Sequence, residues 1–377
     1  MESKKICLGN CYGCTACKNI CPKNAISMKE NEKGFYVPEV DEDKCINCNL
    51  CKKICKEQID KHKINKVFLL KNKNDFQHLH SQSGGAFSSF SDWILGNNGV
   101  VFGVRMNENN EGEFFKASSK EERDLMHGSK YMQVPLNSIF KDIIEEIKNK
   151  KVLFVGTPCQ VSGLKKYIKT KKINADNLFT IDLICHGTPS VKVWRAVIKN
   201  IEKTNGKVKQ AIFRDKVQTG WGGSLSSFYC DKKISDKTFC RIFFTDLCLN
   251  DSCYTCEYAS KERVSDITIG DAWGVKEKNP EFYDTRGVSI VLVNTIKCEE
   301  WLSSIRDNID LLEVPEEKYI QKNMSEPSKP HRNVEEFWND FNNKSFNFIK
   351  KKYGENNVFL NHKYILKKGM NLLCKRK

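Results

Sequence analysis

No stretch of the 377-residue sequence approaches the roughly 20 apolar residues of a membrane span, so no transmembrane helix is expected. Its start is polar and basic and leads into no apolar core of a signal peptide, so the chain reads as cytoplasmic. The dinucleotide fingerprint G-x-G-x-x-G and the phosphate loop G-x-x-x-x-G-K-[ST] are both missing, so NAD and nucleoside triphosphates lack their usual handle. Acidic residues are comparatively few, 47 Asp and Glu against 62 Lys and Arg, for a formal charge of +15. No recognition motif accompanies that charge, so nucleic acid is not an expected partner. Mean hydropathy of −0.53 describes a water-facing globular chain, long enough for about two or three domains.

Cysteine, by contrast, is abundant: 18 residues, eight of them in two short runs. Cys11, Cys14, Cys17 and Cys21 follow C-x2-C-x2-C-x3-C and precede Pro22; Cys45, Cys48, Cys51 and Cys55 repeat the spacing, with Lys56 in place of the proline. Three cysteines two residues apart wrap one corner of a cubane, and the fourth thiolate comes from the other run, as in two-cluster ferredoxins. The spacing therefore assigns Cys11, Cys14, Cys17 and Cys55 to one 4Fe–4S cluster and Cys45, Cys48, Cys51 and Cys21 to the other. Zinc favours separated pairs of ligands. Free cysteine at this density fits a reducing, anaerobic cytosol rather than a disulfide framework.

The cluster module ends near residue 62. Beyond it, Val67-Phe68-Leu69-Leu70, Gly99 to Arg105, Val152-Leu153-Phe154-Val155 and Ile181-Asp182-Leu183-Ile184 read as strands, interleaved with helical patterns, which indicates an α/β body over residues 63–297. Residues 298–377 read as a helical, basic segment. Lysines crowd its end, either to attract an acidic partner or as a solvated helix face. The expected fold is thus an α+β ferredoxin module, residues 1–62, followed by an α/β body and a helical C-terminal tail.

Two glycine-bearing loops, Ser83-Gly84-Gly85 and Gly156-Thr157-Pro158, open helices and would suit an anionic group or a plain turn. Gly128-Ser129-Lys130-Tyr131 is equally open: a cation and an aromatic face for a cofactor, or a loop. Cys159 and Cys185 directly follow predicted core strands, where α/β proteins build sites. With the pair Cys253 and Cys256 they read either as ligands of a third 4Fe–4S cluster or as two buried thiols and a local redox pair. Cys7, Cys230, Cys240, Cys248, Cys298 and Cys374 read as structural thiols. Lys130, His186, Arg214 and Asp271 are candidate catalytic acids without geometry to choose among them.

Taken in order, the ferredoxin module, Ser-x-Ser-Gly-Gly (81–85), Gly-Ser-Lys-Tyr (128–131), Gly-Thr-Pro-Cys-Gln (156–160) and Ile-Cys-His-Gly-Thr-Pro-Ser (184–190) resemble the coenzyme F-420 hydrogenase/dehydrogenase beta-subunit family. Phe213-Arg214-Asp215-Lys216, Ser252-Cys253-Tyr254-Thr255-Cys256 and the stretch 265–274 extend the likeness from about Cys11 to about Asn294. The resemblance implies an FAD-binding body whose flavin site is lined by Ser83, Gly84, Gly85, Ser129, Lys130, Tyr131, Thr157 and Pro158. It also places Cys159, Cys185, Cys253 and Cys256 at the family's cysteine positions, favouring the third cluster and leaving Cys248 out. Relatives in that family include deazaflavin-linked subunits, chlorophyll-type reductases and proteins that accompany surface-polysaccharide synthesis, so the likeness does not fix a substrate. The implied activity is that of a ferredoxin-dependent flavoprotein reductase, with electrons from ferredoxin or another low-potential donor passing through the clusters to FAD and on to a small organic acceptor. The alternative is a non-catalytic electron-transfer subunit working with a catalytic partner.

Overall fold

The computed structural model describes Ile6 and residues 11–355. Cys7, Cys374 and the basic residues of the tail past 355 lie outside the described residues. Each cysteine run bends through residues in the left-handed region, Gly13 and Thr15 in the first and Asn47 and Asn49 in the second. Each then enters a short helix, Ala16–Ile20 or Leu50–Lys56. Left-handed residues two apart turn the chain sharply, which is how cysteines close in sequence come to face a common centre. Between the runs, β1 (Ile26–Glu30) and β2 (Tyr36–Val40) form an antiparallel hairpin.

Five strands of the body follow: β3 (Lys66–Asn72), β4 (Val100–Met106), β5 (Gly112–Ala117), β6 (Val152–Gly156) and β7 (Leu178–Leu183). A small antiparallel sheet is built from β8 (Gln210–Ile212), β9 (Ser226–Tyr229) and β10 (Lys233–Asp236). The chain then returns as β11 (Ile267–Asp271), β12 (Ser289–Val293) and β13 (Ile309–Glu313). The large sheet has eight strands in the order β13-β3-β12-β11-β7-β6-β4-β5. Its centre, β4, β6, β7 and β11, is parallel, and antiparallel strands complete both sides. The body is therefore a mixed α/β fold rather than a simple alternation of strand and helix.

The central strands are apolar on both faces, as strands covered from both sides must be. Val101, Leu153 and Ile181 pack under the helices Ala86–Gly96 and Lys297–Ser304. Val100, Phe102, Val152 and Phe154 pack on the other face under Ile139–Glu146 and Pro158–Lys171. Ala16, Ile20 and Ile54 of the ferredoxin module belong to this second core, so the module is seated on the body rather than tethered to it. The expectation of a helical segment from residue 298 needs one correction. Ile309–Glu313 is a strand that pairs with β3, because Ile309 and the half-buried Leu311 pack on one face, Leu312 packs on the other, and the strand covers an otherwise open sheet edge. Among the described residues, no helix is long and apolar enough to cross a membrane.

Candidate functional site

The fold mixes the two cysteine runs. Burial raises the Cys14 thiol to about 11, and the charges of Cys11 and Cys55 push the same way. Cys17 is raised further, by burial first and then by Cys14, Cys11 and Cys55. Cys51 is raised by burial and by Cys48 and Cys21. Cys55 of the second run thus stands with the first three cysteines, and Cys21 of the first run stands with Cys48 and Cys51. Backbone amides point at two of these sulfurs, Gly13 N to Cys11 Sγ and Ala25 N to Cys21 Sγ, each at 3.3 Å. Such N–H···S bonds raise the potential of any cluster bound there. The set containing Cys14 and Cys17 faces the body; Cys48, beside the exposed Ile46, faces outward.

A third group of thiols gathers from three separate segments. Cys159 sits in the first turn of Pro158–Lys171, whose start is fixed by Thr157 and Gln160 as a reciprocal capping box. Cys185 follows β7 by two residues, and Cys253 and Cys256 bracket the end of the turn Asp251–Thr255. Burial holds Cys159 well above its ordinary value, and the charges of Cys185, Cys256 and Cys253 add to this. Cys185 is pushed to about 12 and Cys253 to about 11, chiefly by burial. Thr188 N donates to Cys253 Sγ at 3.3 Å, and Thr157 Oγ1 lies 3.2 Å from Cys159 Sγ. The Arg263 guanidinium, 1 % exposed, pairs with Asp182 at 2.8 Å and lowers both Cys185 and Cys256. Four thiols in a buried place beside a cation suit a group whose ligands must be thiolates. Among the described residues, no three His, Cys, Asp or Glu side chains converge tightly enough for a single metal ion. Cys248 is fully buried, with Asp246 as the charge that bears on it, and stands apart from the four.

Because β4, β6, β7 and β11 run the same way, their carboxyl ends share one edge of the sheet, where open α/β sheets bind ligands. Gly156-Thr157-Pro158, Cys185-His186 and Asp271 all lie there. So does Ser83-Gly84-Gly85, which packs beside Leu70 near the end of β3. A Cβ on Gly84 would come within 2.2 Å of Leu70 O and 2.5 Å of Ser289 N, so this glycine is required by its own sheet. A cavity of about 970 Å³ opens at the same edge, lined by Gln82, Arg105, Ser129, Lys130, Arg214 and Lys216 among others. Of the eight residues expected at a flavin, Ser129 and Lys130 line it directly. Ser83 adjoins it, donating to Val288 O at 2.7 Å. Gly84, Gly85, Tyr131, Thr157 and Pro158 are not among its lining residues, and Thr157 lies instead against Cys159.

Lys130 differs from the cation imagined in the sequence. Its Nζ donates to the carbonyls of Met126, His127 and Gly128 at 2.7, 2.7 and 3.1 Å, and burial pulls it down to about 7. Arg214, also on the cavity wall, is instead held by side chains: its Nη1 donates to Tyr131 Oη and to Asp271 Oδ2, both at 3.0 Å. Trp221 Nε1 holds the other oxygen of Asp271 at 2.7 Å and stacks on Trp273, 43 % exposed, with centroids 5.4 Å apart. His186 is paired with Asp246 at 2.6 Å between Phe243 and Phe244. Sequence reading named Arg214 and Asp271 without joining them. It passed over Trp221, Arg263 and the tyrosines Tyr12 and Tyr258, which carry no motif spacing of their own.

Residues 149–318 match the family described as coenzyme F420 hydrogenase/dehydrogenase, C terminus of the beta subunit, and residues 10–59 match the 4Fe-4S dicluster domain. The F subunit of the F(420)H(2) dehydrogenase of Methanosarcina mazei is 24% identical over 81% of this chain and 85% of its own length. The beta subunit of the coenzyme F420 hydrogenase of Methanococcus voltae is 24% identical over 56% of this chain and 74% of its own. A chain of the F420-reducing [NiFe] hydrogenase complex from Methanosarcina barkeri shares the fold at a TM-score of 0.50 and 17% identity, over 78% of this chain and 95% of that one.

Proposed function

We propose that this chain, a coenzyme F420 hydrogenase/dehydrogenase beta-subunit family protein with an N-terminal 4Fe–4S dicluster domain, is the iron–sulfur flavoprotein subunit of an oxidoreductase assembly. It exchanges electrons between a one-electron donor and an organic two-electron acceptor. The observation that carries this reading is that the third thiol set and the 970 Å³ cavity share one sheet edge. The relatives' place in hydrogenase and dehydrogenase systems favours a partner subunit over an enzyme working alone.

Cys11, Cys14, Cys17 and Cys55, and Cys21, Cys45, Cys48 and Cys51, would hold the two ferredoxin clusters. Cys159, Cys185, Cys253 and Cys256 would hold a third, and the buried Arg263 offsets the negative charge of thiolates there. FAD would occupy the cavity, with Gln82, Ser129 and Lys130 along it and Arg214 over one side. A flavin accepts electrons singly and delivers them in pairs, which joins cluster chemistry to an organic acceptor. The chain's own part is to exclude water and fix charge. Tyr131, Trp221 and Asp271 hold the Arg214 guanidinium in one orientation, where it offsets negative charge developing on a reduced ring. The donor is proposed as a ferredoxin or another low-potential protein, meeting the outward cysteine set near Cys48. The acceptor is defined only as an organic compound taking two electrons.

Anaerobic purification followed by iron, sulfide and flavin determination tests this. About twelve irons and one FAD per chain are expected, since each cubane carries four irons. About eight irons without flavin would leave a two-cluster electron carrier.

A further inference from the structure

The inner ferredoxin thiol set and the third set meet across one helix. Pro158–Lys171 carries Cys159 in its first turn, and four residues later Gly163 faces Cys14. A Cβ on Gly163 would lie 2.9 Å from Cys14 Cβ, 3.0 Å from Cys14 O and 3.2 Å from Cys14 Sγ. The absent side chain is therefore what lets the cysteine loop rest on the helix. One turn rises about 5.4 Å, so the two cysteines meet the same helix about a turn apart. Tyr12 and Tyr258 fill the space beside them, edge to face with centroids 5.4 Å apart. Tyr258 Oη is 2.8 Å from Ser162 Oγ, and Glu257 N donates to Tyr12 Oη at 3.3 Å. Tyr258 and Tyr12 pack in one apolar group with Cys14 of the inner set and Cys159 and Cys256 of the third, so the two rings touch a core that both sets share. Cys21 and Cys51, in contrast, pack in a separate apolar group with Ile6, Ile26 and Val40, joined to the inner set through Cys17.

We propose that Gly163, with Tyr12 and Tyr258, holds the Cys11/Cys14/Cys17/Cys55 set close against the Cys159/Cys185/Cys253/Cys256 set, and that electrons cross between the sets at this contact. The remaining set, with the exposed Cys48, is then the outer port. This rests on reading the third set as a cluster site. The step makes and breaks no bond. One electron leaves the inner centre and one arrives at the third, and a low-potential iron–sulfur protein outside is oxidised by one electron to replace it. Gly163, Tyr12 and Tyr258 are positioning residues, since none ligates a cluster.

The test uses the full chain, prepared anaerobically with iron counted, fully reduced with dithionite and examined by electron paramagnetic resonance. Spin–spin broadening is expected beyond that of Cys159→Ser, which supplies the baseline of the two ferredoxin centres. Gly163→Leu should lose that extra broadening while keeping about twelve irons per chain, four per cubane. Gly163→Ala and Tyr258→Leu should each reduce it, and they carry the test if the leucine variant folds poorly. Twelve irons with the broadening unchanged in all three variants would overturn the proposal. About eight irons in the unsubstituted protein would overturn it at its premise, and the iron count tells the two failures apart.

Discussion

Arg263 shows how one residue ties the interior to the third thiol set. Its guanidinium donates to Asp182 Oδ1, Leu183 O, Thr268 Oγ1, Tyr258 O and Ser260 O at 2.8 to 3.2 Å. Asp182, fully buried on β7, has no second cation to turn to among these contacts. Removing one member of a buried pair leaves the other charge without compensation, which costs about 3–5 kcal/mol. Arg263→Met is therefore expected to lower the unfolding free energy from urea titration by that much, with a lower midpoint. Arg263→Met with Asp182→Asn should regain part of the loss, because the stranded charge is gone. Equal midpoints for the single variant and the parent would show that the pair carries no stability. The same variant, loaded with iron, should shift the potential of the third set downward, since a nearby cation favours the reduced, more negative state.

Among the elements, the helix Val191–Asn205 links the ferredoxin hairpin to the small sheet. Its buried stripe, Val193, Trp194, Val197 and Ile201, is the i, i+3, i+4 pattern of one helical face. Ser190 caps it, accepting from Lys192 N at 3.1 Å and Val193 N at 3.4 Å, and donates to Lys33 O of the hairpin turn at 2.5 Å. Opposite it, Gly34 at φ +82° has no room for a side chain against Lys192. Ser190→Ala removes both the cap and the tie, and a stability loss of about 1 kcal/mol is expected from the cap alone. Denaturant titration of Ser190→Ala measures it, and an unchanged midpoint would contradict the role. The C-terminal elements behave likewise. Lys350 pairs with Asp236 at 2.7 Å and Lys352 with Asp340 at 2.7 Å, so the first lysines of the basic run are spent on the chain's own carboxylates.

At the scale of the whole molecule, the ferredoxin module is a lid on one face of the sheet body. Besides the shared core, Tyr36 N donates to Gln133 Oε1 at 2.6 Å, Lys166 Nζ to Cys55 O at 3.2 Å, and Arg195 bridges Glu30 and Glu111 at 2.6 Å each. Removing residues 1–62 would bare Val161, Leu164 and Tyr258, a continuous apolar patch of the kind that drives association. The fragment 63–377 is expected to melt lower than the full chain and to elute as aggregate in size-exclusion chromatography. A monodisperse fragment with the parent's melting temperature would mean that the two parts are independent.

The two ferredoxin thiol sets were legible because three of the four cysteines in each lie at fixed short spacings, and short spacing constrains geometry without help from the rest of the chain. The central parallel strands were legible for a similar local reason: runs such as Val152-Leu153-Phe154-Val155 have nowhere to go but a covered sheet. The strand Ile309–Glu313 was not legible, since five residues of mixed polarity become a strand only when β3 offers an open edge. Cys159, Cys185, Cys253 and Cys256 were visible as cysteines, but nearly a hundred residues separate the first from the last. Only the tertiary structure brings them together: β6 and β7 are adjacent, and a bridge between Pro189 and Leu249 seats the Cys253 segment beside the loop after β7. The sequence by itself determined which atoms are available for cluster chemistry and which segments are buried. The tertiary structure decided which thiols face one another, that Gly163 lies against Cys14 between two of the sets, and that Lys130 is consumed by carbonyls while Arg214 is held by Tyr131 and Asp271. Those are distances between segments far apart in the chain, set by how the sheet and its helices pack and not by any local pattern.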